Sequence, residues 1–115
     1  MRKGDDIRER AFRFACDVVN ACDLVEQRGF SGRRLASQLV ASGTSIGANL
    51  EEADGAHSRA DFVSKCTISL KEARESHYWL RLMRATKKLD DERLLAECNE
   101  IIAILTTIVR KTRGE

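Results

Sequence analysis

The sequence predicts an all-α chain, residues 1–115, folded as one up-down-up-down antiparallel four-helix bundle. Three observations predict it. Proline is absent from the 115 residues and seven glycines are the strong helix breakers that remain, so little interrupts long helices. Apolar residues recur at spacings of three and four along four stretches, the pattern of helices that pack lengthwise. Three short breaks separate the stretches: Gly29 and Gly32 around Phe30-Ser31, Gly55 before Ala56-His57-Ser58, and Leu89-Asp90-Asp91 after Lys87-Lys88. Connections this short force neighbouring helices to run antiparallel.

The first helix is predicted over residues 5–28 from Ile7, Ala11, Phe14, Val18 and Val25, with Phe12, Cys16 and Val19 alongside. The second, over 32–54, carries Leu35, Leu39, Ser42, Ile46, Asn49 and Ala53. The third, over 59–87, follows an unbroken series through Phe62, Cys66, Ser69, Ala73, Ser76, Leu80 and Met83. It opens on Ser58 and Asp61, which resemble a capping box. The fourth, over 91–113, reads Leu94, Cys98, Ile101, Leu105 and Ile108, with Asp90 or Asp91 as its cap. Each rod is roughly 23 to 29 residues, about 35 to 43 Å long.

Composition narrows the function classes. With 33% charged and 43% hydrophobic residues the chain lies outside disordered compositions. Twenty Lys and Arg against eighteen Asp and Glu give +2, too mild to indicate a nucleic-acid partner alone. No run approaches the roughly 18 apolar residues of a membrane span, and Met1-Arg2-Lys3-Gly4-Asp5-Asp6 lacks the apolar core of a secretion signal. A cytoplasmic protein without a membrane partner is expected.

The middle of the second and third helices turns small or polar: Ser42, Gly43, Gly47 and Asn49 on one, Cys66, Ser69, Ala73 and Ser76 on the other. A helical glycine costs about 1 kcal/mol relative to alanine, so two of them four apart imply close approach, read here as contact between these two helices. Asn49 on that seam is expected to be a buried amide served by Ser69, Ser76 or a carboxylate of the third helix. Glu72 and Glu75 share a stripe with Ile68, Trp79 and Leu82. They invite an enzymatic reading, but a metal-carboxylate bundle needs Glu-x-x-His steps, and Glu75-Ser76-His77 has the wrong interval. Pairing of the two acids with Arg or Lys, or with Asn49, is the expectation.

No metal, cofactor, small-molecule substrate or catalytic residue is therefore expected. Cys16 and Cys22 are six apart and point to different sides of a helix; together with Cys66 and Cys98 they read as buried or semi-buried free thiols. His57 and His77 read as ordinary, and Gly43-Thr44-Ser45-Ile46-Gly47 lacks the Lys-Ser/Thr ending of a phosphate loop. Glu51, Glu52 and Asp54 crowd the C-terminal end of the second helix, where acids oppose the dipole. Arg8, Arg10, Arg110, Lys111 and Arg113 are the expected answering cations. At the other end Arg81, Arg84, Lys87 and Lys88 join Arg28, Arg33 and Arg34, a candidate phosphate-binding cluster diluted by Asp90, Asp91 and Glu92.

The blocks Gln38-Leu39-Val40-Ala41-Ser42-Gly43-Thr44-Ser45-Ile46-Gly47-Ala48-Asn49-Leu50-Glu51-Glu52-Ala53, Asp61-Phe62-Val63-Ser64-Lys65 and Ser69-Leu70-Lys71-Glu72-Ala73-Arg74-Glu75-Ser76-His77-Tyr78-Trp79-Leu80-Arg81-Leu82 resemble a bacterial four-helix bundle family. It is named for proteins encoded in intervening sequences of 23S ribosomal RNA genes and is related to the accessory protein of diversity-generating retroelements. The resemblance covers roughly residues 7–110. It implies a homo-oligomer, commonly a pentamer, without catalysis, and in the retroelement relative a basic scaffold for nucleic acid and a reverse transcriptase. Ser45, Ile46, Asn49, Glu52, Glu72, Glu75 and Trp79 match its motifs and are read as structural or assembly residues. The expected function is a non-enzymatic oligomeric scaffold that binds RNA or a protein partner. The alternatives are a nucleic-acid accessory protein working through the basic end and, third, a metal-carboxylate enzyme using Glu72, Glu75 and His77.

Overall fold

The computed structural model describes residues 3–115, and side-chain surroundings from residue 7 onward. Four helices follow one another: α1 (Lys3–Glu26), α2 (Gly29–Asp54), α3 (Arg59–Ala85) and α4 (Glu92–Thr112). No strand occurs among the described residues. Each helix packs on its two neighbours and not on the one diagonally opposite, and α1 meets α4 to close the square; that last seam is the sparsest. The bundle measures 44 × 24 × 21 Å, as lengthwise packing requires. Phe14, Val18, Leu39, Ile46, Met83, Ile101 and Leu105 fill the middle, all fully buried.

The helix ends show where local chemistry acts. Ser58 accepts from the Asp61 N–H at 3.1 Å, as the capping-box spacing predicts. Of the two candidates for α4, Asp91 is the cap, accepting from the Leu94 N–H at 3.0 Å, while Asp90 pairs with Arg84 at 3.3 Å. The first break is shorter than predicted. Only Gln27 and Arg28 lie outside helix, so α1 ends earlier and α2 starts earlier than the glycines suggested. Gly29 turns the corner at φ +86°, and Gly32 is not a breaker but lies inside the first turn of α2.

The third helix also stops short of residue 87. Lys87 adopts φ +60°, its N–H reaches the Arg84 carbonyl at 3.2 Å, and the Lys88 N–H reaches that of Met83 at 2.8 Å. This is the Schellman ending, with lysine where glycine is normally found. A left-handed lysine is strained by its Cβ, so Lys87→Gly is expected to stabilise the chain by about 0.5–1 kcal/mol, read as a rise in the thermal midpoint.

The small residues of α2 divide between two neighbours, which corrects their reading as one α2–α3 seam. A Cβ added at Gly43 would come within 2.8 Å of a Val18 methyl, and one at Gly47 within 3.5 Å of the Ala11 Cβ. Both glycines therefore face α1. Ser42, one residue earlier and about 100° round the helix, faces α3 instead, where the Ser76 hydroxyl donates to it at 2.8 Å. The two glycines are expected to respond oppositely to alanine. Gly47→Ala meets only ordinary contact and gains about 1 kcal/mol of helix propensity. Gly43→Ala crowds a stiff, fully buried valine at a cost of about 1–3 kcal/mol that outweighs the same gain. Urea unfolding of the two variants separates them.

Candidate functional site: the outer face of α2 and α3

Two buried hydroxyls set the register of α2 against α3. Ser69 donates to the Ile46 carbonyl at 2.8 Å; Ser76 donates to Ser42, which donates on to the Leu39 carbonyl at 3.4 Å. All three serines are buried, and each has a partner, as burial demands. Further along the seam Lys65 meets Glu52 at 3.6 Å.

With that register, helical phase sets the motif residues along one seam. Ile46 points inward and is fully buried. Ser45, Asn49 and Glu52 of α2 and Glu72, Glu75 and Trp79 of α3 line the outer side of the seam, Ser45 level with Glu72, Asn49 and Glu52 toward Lys65, and Glu75 and Trp79 toward Leu39. Ser45, Asn49, Glu72 and Trp79 are half-buried. Their hydrogen bonds are local. Ser45 donates to the Ala41 carbonyl at 2.7 Å, and the Trp79 indole N–H donates to Glu75 at 3.3 Å. Tyr78 sets its ring edge-on to Trp79, centroids 5.2 Å apart.

Two expectations are corrected here. Asn49 is not fully buried and does not bridge to α3: its amide donates to the Ser45 carbonyl, 2.8 Å away in its own helix. The hydroxyls proposed for it are engaged by Ile46 and Ser42. Glu72 and Glu75 also lack the basic partners expected of them, since neither forms an ion pair among the described residues. Burial, reinforced by the Glu75 charge, pushes the Glu72 carboxyl above its ordinary value. The folded chain therefore binds a proton at Glu72 more readily than the unfolded chain, so this residue opposes folding above the carboxylate range and ceases to as pH falls through it. Glu72→Gln is expected to raise the thermal midpoint at neutral pH and to leave it unchanged in acid.

No helix among the described residues is long and apolar enough to cross a membrane. Nor does any group of three or more His, Cys, Asp or Glu among them have the placement of a metal site. Cys22, Cys66 and Cys98 are buried, whereas Cys16 is exposed, against expectation. Burial pushes the Cys22 thiol up to about 11 and that of Cys98 to about 12. These thiols stay protonated, and Cys98 donates to the Ala73 carbonyl at 3.3 Å. Burial also lowers His77, with Arg81 adding to the effect, so its imidazole is neutral at pH 7.

The acidic end of α2 is answered from two sides. Arg8 reaches Asp54 at 3.0 Å and Glu51 at 3.6 Å, as expected, while Glu52 takes Lys65 of α3, a partner the sequence reading did not name. Arg10 is bound elsewhere: its guanidinium grips Glu97 of α4 through two hydrogen bonds, 2.9 and 2.6 Å long. Of the other candidates, Arg113 reaches Thr67 at 3.4 Å. At the opposite end Arg33, Arg34, Arg81 and Lys87 are exposed and Lys88 is half-buried. Arg84 is neutralised there by Asp90 and by Glu92 at 3.0 Å.

A feature without a sequence signal lies along the sparse α1–α4 seam. Beside the Arg10–Glu97 clasp α1 and α4 border a groove of about 1010 Å³, lined by Phe14, Ala21, Leu24, Leu89 and Leu94 among charged residues that include Arg13, Asp17, Arg93 and Glu100. It depends on how far two helices distant in sequence separate, which neither helix encodes by itself.

A family model described as 23S rRNA-intervening sequence protein matches residues 4–107, nearly the whole bundle. The chain belongs to that family. The match spans all the motif residues gathered on the α2–α3 face, so the 23S rRNA-intervening sequence protein family and this fold are one assignment. A crystal structure from Bacteroides thetaiotaomicron VPI-5482, described as a protein with unknown function from the S23 ribosomal protein family, is similar. It shares 37% identity at a TM-score of 0.86, over 95% of this chain and 99% of that one. No curated protein matches the chain.

Proposed function

We propose that this member of the 23S rRNA-intervening sequence protein family is a non-enzymatic scaffold that assembles from several copies, a pentamer being the expected ring, and presents a surface to RNA or a protein partner. One observation carries the reading: large apolar side chains stand in solvent, while the serines of the α2–α3 seam, Glu75 and three of the four thiols are engaged within the bundle. The serines join α2 to α3, Glu75 holds Trp79, and three thiols are buried. Phe12 is 65% exposed, Leu24 63%, Phe30 72% and Tyr78 52%. A small bundle with this much uncovered apolar surface is suited to association. Sedimentation equilibrium tests it: a mass several times 12.9 kDa is expected, and a monomer would remove the scaffold reading.

The exposed cations Arg33, Arg34, Arg81 and Lys87 at one bundle end support a second reading, in which RNA is held directly there. Affinity for an RNA oligonucleotide should then fall steeply with salt and weaken when these four become glutamine. Indifference to both changes would exclude it.

A further inference from the structure

The solvent side of α3 carries a line of its own: Thr67, Lys71, Arg74, Tyr78 and Arg81, at helical spacings of four, three, four and three. It spans about 21 Å of helix. Lys71, Arg74 and Arg81 are exposed, and none of them forms an ion pair among the described residues. Arg113 of α4 adds a cation to one end by reaching Thr67 at 3.4 Å. The acids nearby are turned away or occupied. Between Arg93 and Arg113 the acids of α4 are Glu97 and Glu100, and both line the groove on the α1 side. Glu92 pairs at 3.0 Å with Arg84, one turn beyond Arg81, and Glu75, at the edge of the line, accepts the Trp79 indole N–H at 3.3 Å.

We propose that this line is a track for single-stranded RNA, along which Lys71, Arg74 and Arg81 hold phosphates while Tyr78 stacks on a base. It rests on the reading in which the chain presents a surface to RNA, and it places the contact along α3 and not at the bundle end. Tyr78 decides for a strand with open bases. Its ring is 52% exposed, and the edge contact with Trp79, 5.2 Å between centroids, covers at most one ring face. An aromatic face set among cations is how sequence-tolerant single-strand sites are built, whereas a duplex keeps its base faces inside the stack and offers the ring nothing. Acidic protein surfaces and lipid headgroups would meet the cations but bring no planar partner for Tyr78. At the bundle end Phe30 does stand beside Arg33 and Arg34, all three exposed. Exposed Glu26, Asp90, Asp91 and Glu92 share that end, however, and weaken its field on a phosphate.

Fluorescence anisotropy of the full-length chain with a labelled, mixed-sequence RNA oligonucleotide that cannot pair with itself tests the assignment. Circular dichroism and thermal unfolding establish that each variant is folded. Changing Lys71, Arg74 and Arg81 together to glutamine should weaken binding by about tenfold or more and flatten the slope of log affinity against log salt by about 2, three phosphates at roughly 0.7 each. Tyr78→Ala should weaken binding about tenfold with the salt slope unchanged, and Tyr78→Phe, which keeps the ring, should bind like wild type. Changing Arg33, Arg34 and Lys87 together to glutamine removes the same charge from the bundle end and should cost no more than about threefold. A wild type that does not bind the oligonucleotide at low salt overturns the proposal together with the RNA reading. Loss confined to the bundle-end variant, or equal loss from both triple variants, overturns the α3 track alone and leaves RNA binding standing. Affinity that depends on the three α3 cations but is untouched by Tyr78→Ala assigns the line to a polyanion without bases, and likewise overturns the single-strand assignment.

Discussion

Phe14→Ala is expected to cost about 3–5 kcal/mol, the range for emptying an aromatic site in a core, and to lower the thermal midpoint by roughly 10–20 °C in a chain of this length. Phe14 is 1% exposed, yet it lines the groove between α1 and α4. Its ring fills the place where the two helices separate. Without it the core opens toward the groove at the sparsest seam of the bundle, where few other contacts can close the gap. The control is two residues away. Phe12 is 65% exposed, and its replacement by alanine should move stability by no more than about 0.5 kcal/mol. Urea unfolding should show a large fall in midpoint for Phe14→Ala and almost none for Phe12→Ala. Equal losses would mean that α1 is rotated from the orientation described.

Gly32→Ala should be the most damaging glycine substitution, at about 2–3 kcal/mol after the roughly 1 kcal/mol helix-propensity gain is subtracted. An added Cβ would lie 2.3 Å from the Val25 carbonyl oxygen and 2.8 Å from the Arg28 Cβ. The oxygen belongs to the last turn of α1 and accepts the Arg28 N–H at 2.9 Å. It is backbone, held by the corner it helps to make, so relief requires the whole α1–α2 turn to shift. Gly29 offers the contrast: a Cβ there meets nothing within 4 Å, and only its φ of +86° resists substitution, at about 1–2 kcal/mol. Thermal unfolding should rank Gly32→Ala below Gly29→Ala, and the reverse order would place the close approach elsewhere.

The readings that held were those that a single helix determines. The lines Ile7-Ala11-Phe14-Val18, Cys66-Ser69-Ala73-Ser76 and Leu94-Cys98-Ile101-Leu105 are buried as their spacing predicts, and Ser58 caps α3 through the residue three positions on. Helix ends and the exposure of Cys16 aside, the readings that needed correction involved a choice between neighbours. Gly43 and Gly47 imply close approach, but not whether α1 or α3 comes close. Asn49 requires an acceptor and found one in its own turn. Arg8 and Arg10 were equal candidates for the acids of α2, yet they lie two residues apart and point about 160° apart around α1, so Arg8 reaches Asp54 while Arg10 crosses to Glu97.

Sequence by itself determined that this chain is four amphipathic rods joined by short turns, because the spacing of apolar residues along one helix is a local property and proline never interrupts it. Tertiary structure decided which neighbour each line of side chains meets, which acids are left without cations, and that α1 and α4 border a groove. The reason is geometric: adjacent helix positions point about 100° apart, so one run of small residues serves two partners, and their identity exists only once all four rods are in place.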